Sequence, residues 1–228
     1  MQTIAERLKS AHARIENATA NAHRPPNSVK LLAVSKTKPV SDIRQAYDAG
    51  QRLFGENYVQ EGVEKINELQ ELSDIEWHLI GPLQSNKTRV VAEHFDWVQS
   101  IDRKKIARRL NEQRPEALSP LNVCIQLNLD DEASKSGISE EELPALVESV
   151  SSMNNLVLRG LMAIPSANAT VEQQQQTLTR LQELFERYHT KLSNFDTLSV
   201  GMSGDTEAAI KNGSTMVRIG SAIFGARE

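Results

Sequence analysis

Three short segments combine residue types that could do chemistry together. The first, VKLLAVSK (29–36), is an apolar, β-branched run ending in Ser35-Lys36 and followed by Thr37-Lys38-Pro39. A lysine at the mouth of an apolar environment is partly desolvated, which favours the neutral amine, the form that attacks a carbonyl to make a Schiff base. The same placement also describes a surface lysine that merely follows a strand. The second segment is Gly201-Met202-Ser203-Gly204-Asp205, ahead of the helical pattern TEAAIKNG. Two glycines around a serine at the start of a helix leave backbone N–H groups and a hydroxyl side by side, a cradle for an anion. The alternative is an ordinary strand-to-helix turn capped by Ser203 or Asp205. In the third segment, MVRIGSAIF (216–224), Arg218 interrupts an apolar run and Gly220-Ser221 follows it. An arginine there is expensive unless it faces a ligand or a carboxylate, and Gly220 lets a backbone N–H approach a bound group closely. Together the three suggest a phosphorylated aldehyde held as an imine.

The elements that must position these residues follow from period and punctuation. Residues 3–20 place Ile4, Leu8, Ala11 and Ile15 at helical spacing, and Pro25-Pro26 closes the segment. Strands are predicted at 29–36, 52–57, 75–81, 97–101, 121–129, 156–164, 197–202 and 216–224. Between them lie helical patterns, beginning with one capped by Ser41 or Asp42 and ending at Gly50, then 58–71, 86–95, 103–113, 140–152, 172–193 and 205–212. Apolar runs separated by helices are what a parallel sheet covered on both faces requires. Eight such units predict a single (β/α)₈ TIM-type barrel domain over 1–228 with an additional N-terminal helix. A doubly wound open sheet also satisfies the strand count. In a barrel, chemistry sits at the carboxyl ends of the strands and phosphate binds after the seventh and eighth.

Composition narrows the function. Lys and Arg total 26 against 30 for Asp and Glu, a net charge of −4, and there is one cysteine, Cys124, among 228 residues. The balance disfavours duplex nucleic acid or an anionic membrane as the main partner. One cysteine allows no internal disulfide and no cysteine-based structural zinc site. The first twenty residues carry charges every few positions, unlike a signal peptide, and no apolar run is long enough to span a bilayer. A cytoplasmic protein is expected. No His, Asp or Glu cluster has metal-ligand spacing, and neither a Gly-x-Gly-x-x-Gly motif nor a P-loop occurs.

The segments LLAVSKTKP (31–39), FGENYVQE (54–61), WHLIGPLQSNK (77–87), SKSGI (134–138), LRGLMAI (158–164) and GMSGDTEAAIKNGSTMVRIGSAIFG (201–225) resemble the YggS/PROSC family of pyridoxal 5′-phosphate (PLP) homeostasis proteins, in order and across almost the whole chain. The resemblance implies the barrel of the alanine racemase N-terminal domain, with PLP bound as a Schiff base on Lys36. It implies phosphate contacts from Ser203 and from Gly220 and Ser221, Arg218 against the pyridine nitrogen, and Asn57 beside the cofactor. It further implies a monomeric carrier or buffer of PLP, with PLP-dependent apo-enzymes as partners and no residue in a catalytic role.

Other residues carry two readings each. His78 either faces the barrel mouth or is a satisfied core histidine. Asn86-Lys87 either reach a ligand or cap the next helix. Lys135 is either part of a charged loop or, by family analogy, a secondary landing site for PLP. Cys124 reads as an inert buried thiol. The competing function is a PLP-dependent amino-acid racemase. A two-base racemase needs an acid or base on each face of the substrate, with Lys36 serving only one. The second base of related two-domain racemases is a tyrosine supplied with the help of a C-terminal domain. Here the chain stops at Glu228, shortly after the last strand, so that domain is expected to be absent. Tyr47 and Tyr188 fall in helices, leaving Tyr58 as the one substitute.

Overall fold

The computed structural model describes residues 2–130 and 136–226. Helix α1 (Ile4–Asn21) opens the chain behind a reciprocal cap in which the Thr3 hydroxyl accepts from the Glu6 N–H and the Glu6 carboxylate from the Thr3 N–H. Its Ile4, Leu8, Ala11 and Ile15 are buried, on the spacing the sequence predicts.

Eight parallel strands follow: β1 (Lys30–Val34), β2 (Leu53–Glu56), β3 (Glu76–Leu79), β4 (Trp97–Ile101), β5 (Leu121–Leu127), β6 (Leu156–Ala163), β7 (Thr197–Ser199) and β8 (Met216–Ile219). They pair in chain order, and β8 returns to β1 with Leu32 opposite Arg218, which closes the barrel and removes the open-sheet alternative. Helices α2 (Val40–Asp48), α3 (Val59–Glu68), α4 (Thr88–His94), α5 (Lys104–Gln113), α6 (Leu143–Ser151), α7 (Val171–His189) and α8 (Thr206–Lys211) alternate with the strands, and α9 (Ser221–Phe224) ends the described chain.

Two local expectations are corrected. The run 216–224 is not one strand: it stops at Ile219, the chain turns at Gly220, and α9 packs Ile223 and Phe224 into the core. Helix α2 is not capped by Ser41 or Asp42; Pro39, whose ring presets the backbone torsion, precedes it, and both residues lie in its first turn.

Side chains alternate between two cores. The larger lies between the strands and the helices and contains Leu31, Ala33, Phe54, Val98 and Val217. Inside the barrel are two small apolar groups: Leu32, Ile80 and Met216, and, separately, Trp97, Cys124 and Met162. Between β5 and β6 the register shifts, with Val123 opposite Leu158 but Cys124 opposite Gly160. Gly160 permits the bulge: its φ is 154°, and a Cβ there would lie 1.7 Å from the Thr197 carbonyl oxygen. The extra residue, Arg159, reaches Asp196 with Nη2 at 2.6 Å and stacks on Trp97 at 4.7 Å.

Candidate functional site

The carboxyl ends of the strands surround a cavity of about 700 Å³. All six residues singled out from the sequence, Lys36, Asn57, Ser203, Arg218, Gly220 and Ser221, line it.

Lys36 stands two residues past the end of β1, half-buried, on a turn in which Thr37 adopts φ 63°. A buried ionic cluster fixes this turn from behind. Lys65 of α3 donates to the Ser35 carbonyl at 2.7 Å, Glu56 Oε1 at 2.8 Å and Glu61 Oε1 at 2.7 Å, so all three ammonium hydrogens are used. The Ser35 hydroxyl donates to the same Glu56 oxygen at 2.7 Å, and the Thr37 N–H donates to Glu61 at 2.6 Å. Both neighbours of Lys36 are therefore tied to one lysine. Burial pushes the Glu56 carboxyl above its ordinary value, against the pull of Lys65 and Ser35. Its Oε2 has no hydrogen-bond partner. Asn57, next in the chain, is approached closely by Gly81, where a Cβ would fall 2.1 Å from the Asn57 carbonyl oxygen.

Next around the barrel from Lys36 lie the loops after β8, the strand paired with β1, and after β7. Asp205 Oδ1 accepts from the Met202 N–H at 2.6 Å and folds the loop back on itself. Arg14 of α1 holds its outer side, donating to the Ser203 carbonyl at 2.7 Å while pairing with Glu207. The N–H groups of Ser203, Gly204 and Ser221 meet no protein acceptor among the described residues. Because α8 and α9 have only six and four residues, what this wall offers an anion is individual donors rather than a long helix dipole.

Arg218 is 4% exposed and, among the described residues, pairs with no carboxylate. Its Nη1 donates to Ser199 Oγ at 2.8 Å and its Nη2 to the Ala163 carbonyl at 2.9 Å. Burial lowers it to about 10, against the pull of Asp205 and Cys124, so it remains a cation near neutral pH. Arg218 also lines the cavity. A primary amine, a group of N–H and hydroxyl donors and a donor-only cation lining one cavity fit an aldehyde carrying a phosphate.

The other candidates fall outside this wall. His78 is wholly buried beneath it, a satisfied core histidine. Asn86-Lys87 form an exposed 3₁₀ turn, and Tyr58 is 53% exposed at the start of α3. Burial pushes the Cys124 thiol far up, as expected of an inert residue. Lys135 lies outside the described residues. Sequence reasoning passed over Gln126 and Asn128, which also line the cavity. Their alternation with apolar neighbours in IQLNL was the available signal. Among the described residues no cluster could hold a metal ion, and no helix is long and apolar enough to cross a membrane.

Fold and site together define a (β/α)₈ barrel whose carboxyl-terminal mouth is lined by a lysine, by serine and glycine loops and by a buried arginine. The family described as alanine racemase, N-terminal domain, matches residues 7–228. The chain is 57% identical to the pyridoxal phosphate homeostasis protein of Pasteurella multocida over 99% of this chain and 98% of that one. It is 55% identical to that of Escherichia coli K12, over 100% and 98% respectively. The structure of PipY from Synechococcus elongatus PCC7942 with PLP bound superposes with a TM-score of 0.83 at 37% identity, covering 98% of this chain and all of that one. Alanine racemase from Corynebacterium glutamicum shares the fold, with a TM-score of 0.65 at 16% identity, over 96% of this chain and 61% of the racemase. The chain belongs to the pyridoxal phosphate homeostasis protein family, within the wider alanine racemase N-terminal-domain family.

The cluster behind Lys36 yields a stability prediction. Lys65→Met leaves Glu56 buried without its cation and should destabilise the ligand-free protein by about 3–5 kcal/mol. Urea denaturation measures this, and a loss below about 1 kcal/mol, the value of a surface pair, would show that the cluster does not hold the turn.

Proposed function

We propose that this chain binds PLP covalently through Lys36 and holds it for delivery, without catalytic turnover. The observation that carries the reading is the convergence on one cavity of Lys36, the free N–H groups of the Ser203 and Ser221 loops, and a buried arginine that pairs with no carboxylate among the described residues. The likeness to PipY, whose structure contains PLP, supports the choice of ligand.

Each residue then has a task. Lys36 supplies the amine that bonds the carbonyl carbon. Ser203, Gly204, Gly220 and Ser221 hold the phosphate through N–H and hydroxyl groups, and Asn57 flanks the ring. Arg218 would meet the ring nitrogen, where a cation that can only donate would disfavour a proton on that nitrogen. Bound here, PLP supplies a reactive aldehyde and an electron-withdrawing ring, the latter weakened when its nitrogen is unprotonated. Apart from Lys36, Lys38 and Arg218, no titratable side chain lines the cavity among the described residues, and Lys38 donates to the Ala226 carbonyl at 2.8 Å. That wall favours safekeeping over α-proton chemistry, which needs a second acid–base group. We read the chain as a single barrel domain and a cytoplasmic monomer whose recipients are PLP-dependent apo-enzymes.

In the Lys36→Ala variant, borohydride should fix no stoichiometric PLP adduct, as judged by peptide mass mapping; a full adduct on another lysine such as Lys135 would move the attachment there. Ser203→Ala should weaken PLP binding by about 1–2 kcal/mol, one hydrogen bond to a charged group, while pyridoxal, which lacks the phosphate, should be nearly indifferent. Equal sensitivity of the two ligands would remove the phosphate from this loop. Alanine, serine and glutamate incubated with the loaded protein in deuterated buffer should retain their α-protons. Multiple-turnover exchange that disappears in Lys36→Ala would make the protein an enzyme.

A further inference from the structure

Behind Arg218 a chain of buried polar side chains runs down the barrel axis toward the amino-terminal end. Ser199, the last residue of β7, donates to Gln99 Oε1 at 2.6 Å. Gln99, in β4, has its amide nitrogen 2.9 Å from His78 Nδ1 and 3.3 Å from Met216 Sδ. His78 Nε2 lies 2.8 Å from Glu76 Oε1 at the start of β3, and the His78 ring stacks on Trp97 at 4.8 Å. Ser199, Gln99 and His78 are all buried, and none of them lines the cavity.

The two ends give this chain a single direction. The Glu76 carboxylate can only accept, so the single ring proton of His78 sits on Nε2 and Nδ1 accepts from the Gln99 amide nitrogen. Gln99 Oε1 then faces Ser199 and accepts its hydroxyl hydrogen. A guanidinium has no acceptor, so Ser199 Oγ accepts from Arg218. Burial holds His78 below its ordinary value and keeps it neutral, consistent with one ring hydrogen. Every donor and acceptor role from Arg218 to Glu76 is thereby fixed, and reversing any link would set two donors or two acceptors face to face.

We propose that Ser199, Gln99 and His78 are positioning residues that act through Arg218, fixing which edge of its guanidinium faces the cavity. The inference rests on the reading that Arg218 meets the ring of the bound group. Among the described residues Gln99 makes no hydrogen bond to Arg218 and does not line the cavity, so its hydrogen-bonded link to Arg218 runs through Ser199. Without Gln99 the Ser199 hydroxyl loses its fixed acceptor and no longer holds its lone pairs toward Arg218, which frees the guanidinium to move.

The test compares Ser199→Ala, Gln99→Met and Arg218→Met, alone and combined. In the PLP-loaded protein the visible absorbance maximum should move in the same direction in all three, and PLP should bind about tenfold more weakly in the first two. In the Arg218→Met background, adding Gln99→Met or Ser199→Ala should move the maximum no further. In the ligand-free protein, the Arg218 guanidinium protons should exchange faster by NMR in Gln99→Met as well as in Ser199→Ala. If Gln99→Met does not fold, Ser199→Ala, which deletes a single atom, carries the comparison. A lowered melting temperature with the spectrum and proton exchange unchanged would overturn the positioning role and leave these residues structural. An Arg218→Met variant with unaltered spectrum and affinity would instead overturn the assignment of Arg218 to the ring, a separate failure.

Discussion

Burying one guanidinium inside a barrel sets many of the other choices in this molecule. An unpaired cation moved into a low-dielectric interior costs several kcal/mol unless its donors are met individually. Among the described residues no carboxylate pairs with Arg218, and neutral oxygens meet its donors: the Ser199 hydroxyl and the Ala163 carbonyl. The requirement then propagates, because a serine that accepts from an arginine needs an acceptor of its own, and so does each later partner. A barrel interior is ordinarily filled by layers of bulky apolar side chains. Here a polar thread through Ser199, Gln99 and His78 separates two small apolar clusters, and cohesion is left to the outer core between strands and helices.

A second buried ion, Lys65, performs the corresponding task behind Lys36. It lies between α3 and the ends of β1 and β2, binds Ser35 directly and holds Thr37 through Glu61. The two polar networks share no residue. Each braces one end of the cavity, and a ligand spanning Lys36 and Arg218 would couple them. Such a ligand stabilises the folded state by mass action on the whole barrel rather than on one loop.

The strands were legible because parallel strands buried on both faces read as apolar runs, and all eight lie where those runs are. Closure was not legible, since a count of strands does not say whether the last returns to the first. Strand β8 was extended too far because Ala222-Ile223-Phe224 continues the apolar run, and a helix of four residues is too short to show its own period. Lys36, Ser203 and Arg218 stood out as polar residues at the ends of, or within, apolar runs. Lys65 did not, because four residues after Glu61 on a helix it looks like half of a surface ion pair, and only tertiary packing makes it 6% exposed. His78, Gln99 and Ser199 sit in three different strands. Period alone places each on a face, but only the barrel's stagger brings them to adjacent levels.

That stagger also explains the helix that precedes the repeating βα pattern. The cup loops lead into α8 and α9, too short to hold their own orientation or to contribute much dipole to an anion. Helix α1 packs against both of them. From it, Arg14 fastens the Ser203 carbonyl while Glu207 balances its charge, and Arg24 donates to the carbonyls of Ile210 and Ser214 at the other end of α8. Pulling carbonyl oxygens outward onto arginines leaves the N–H groups of the same loop free to point toward the cavity. The anion cup is therefore as much a product of α1, at the opposite end of the chain, as of the glycines and serines that line it.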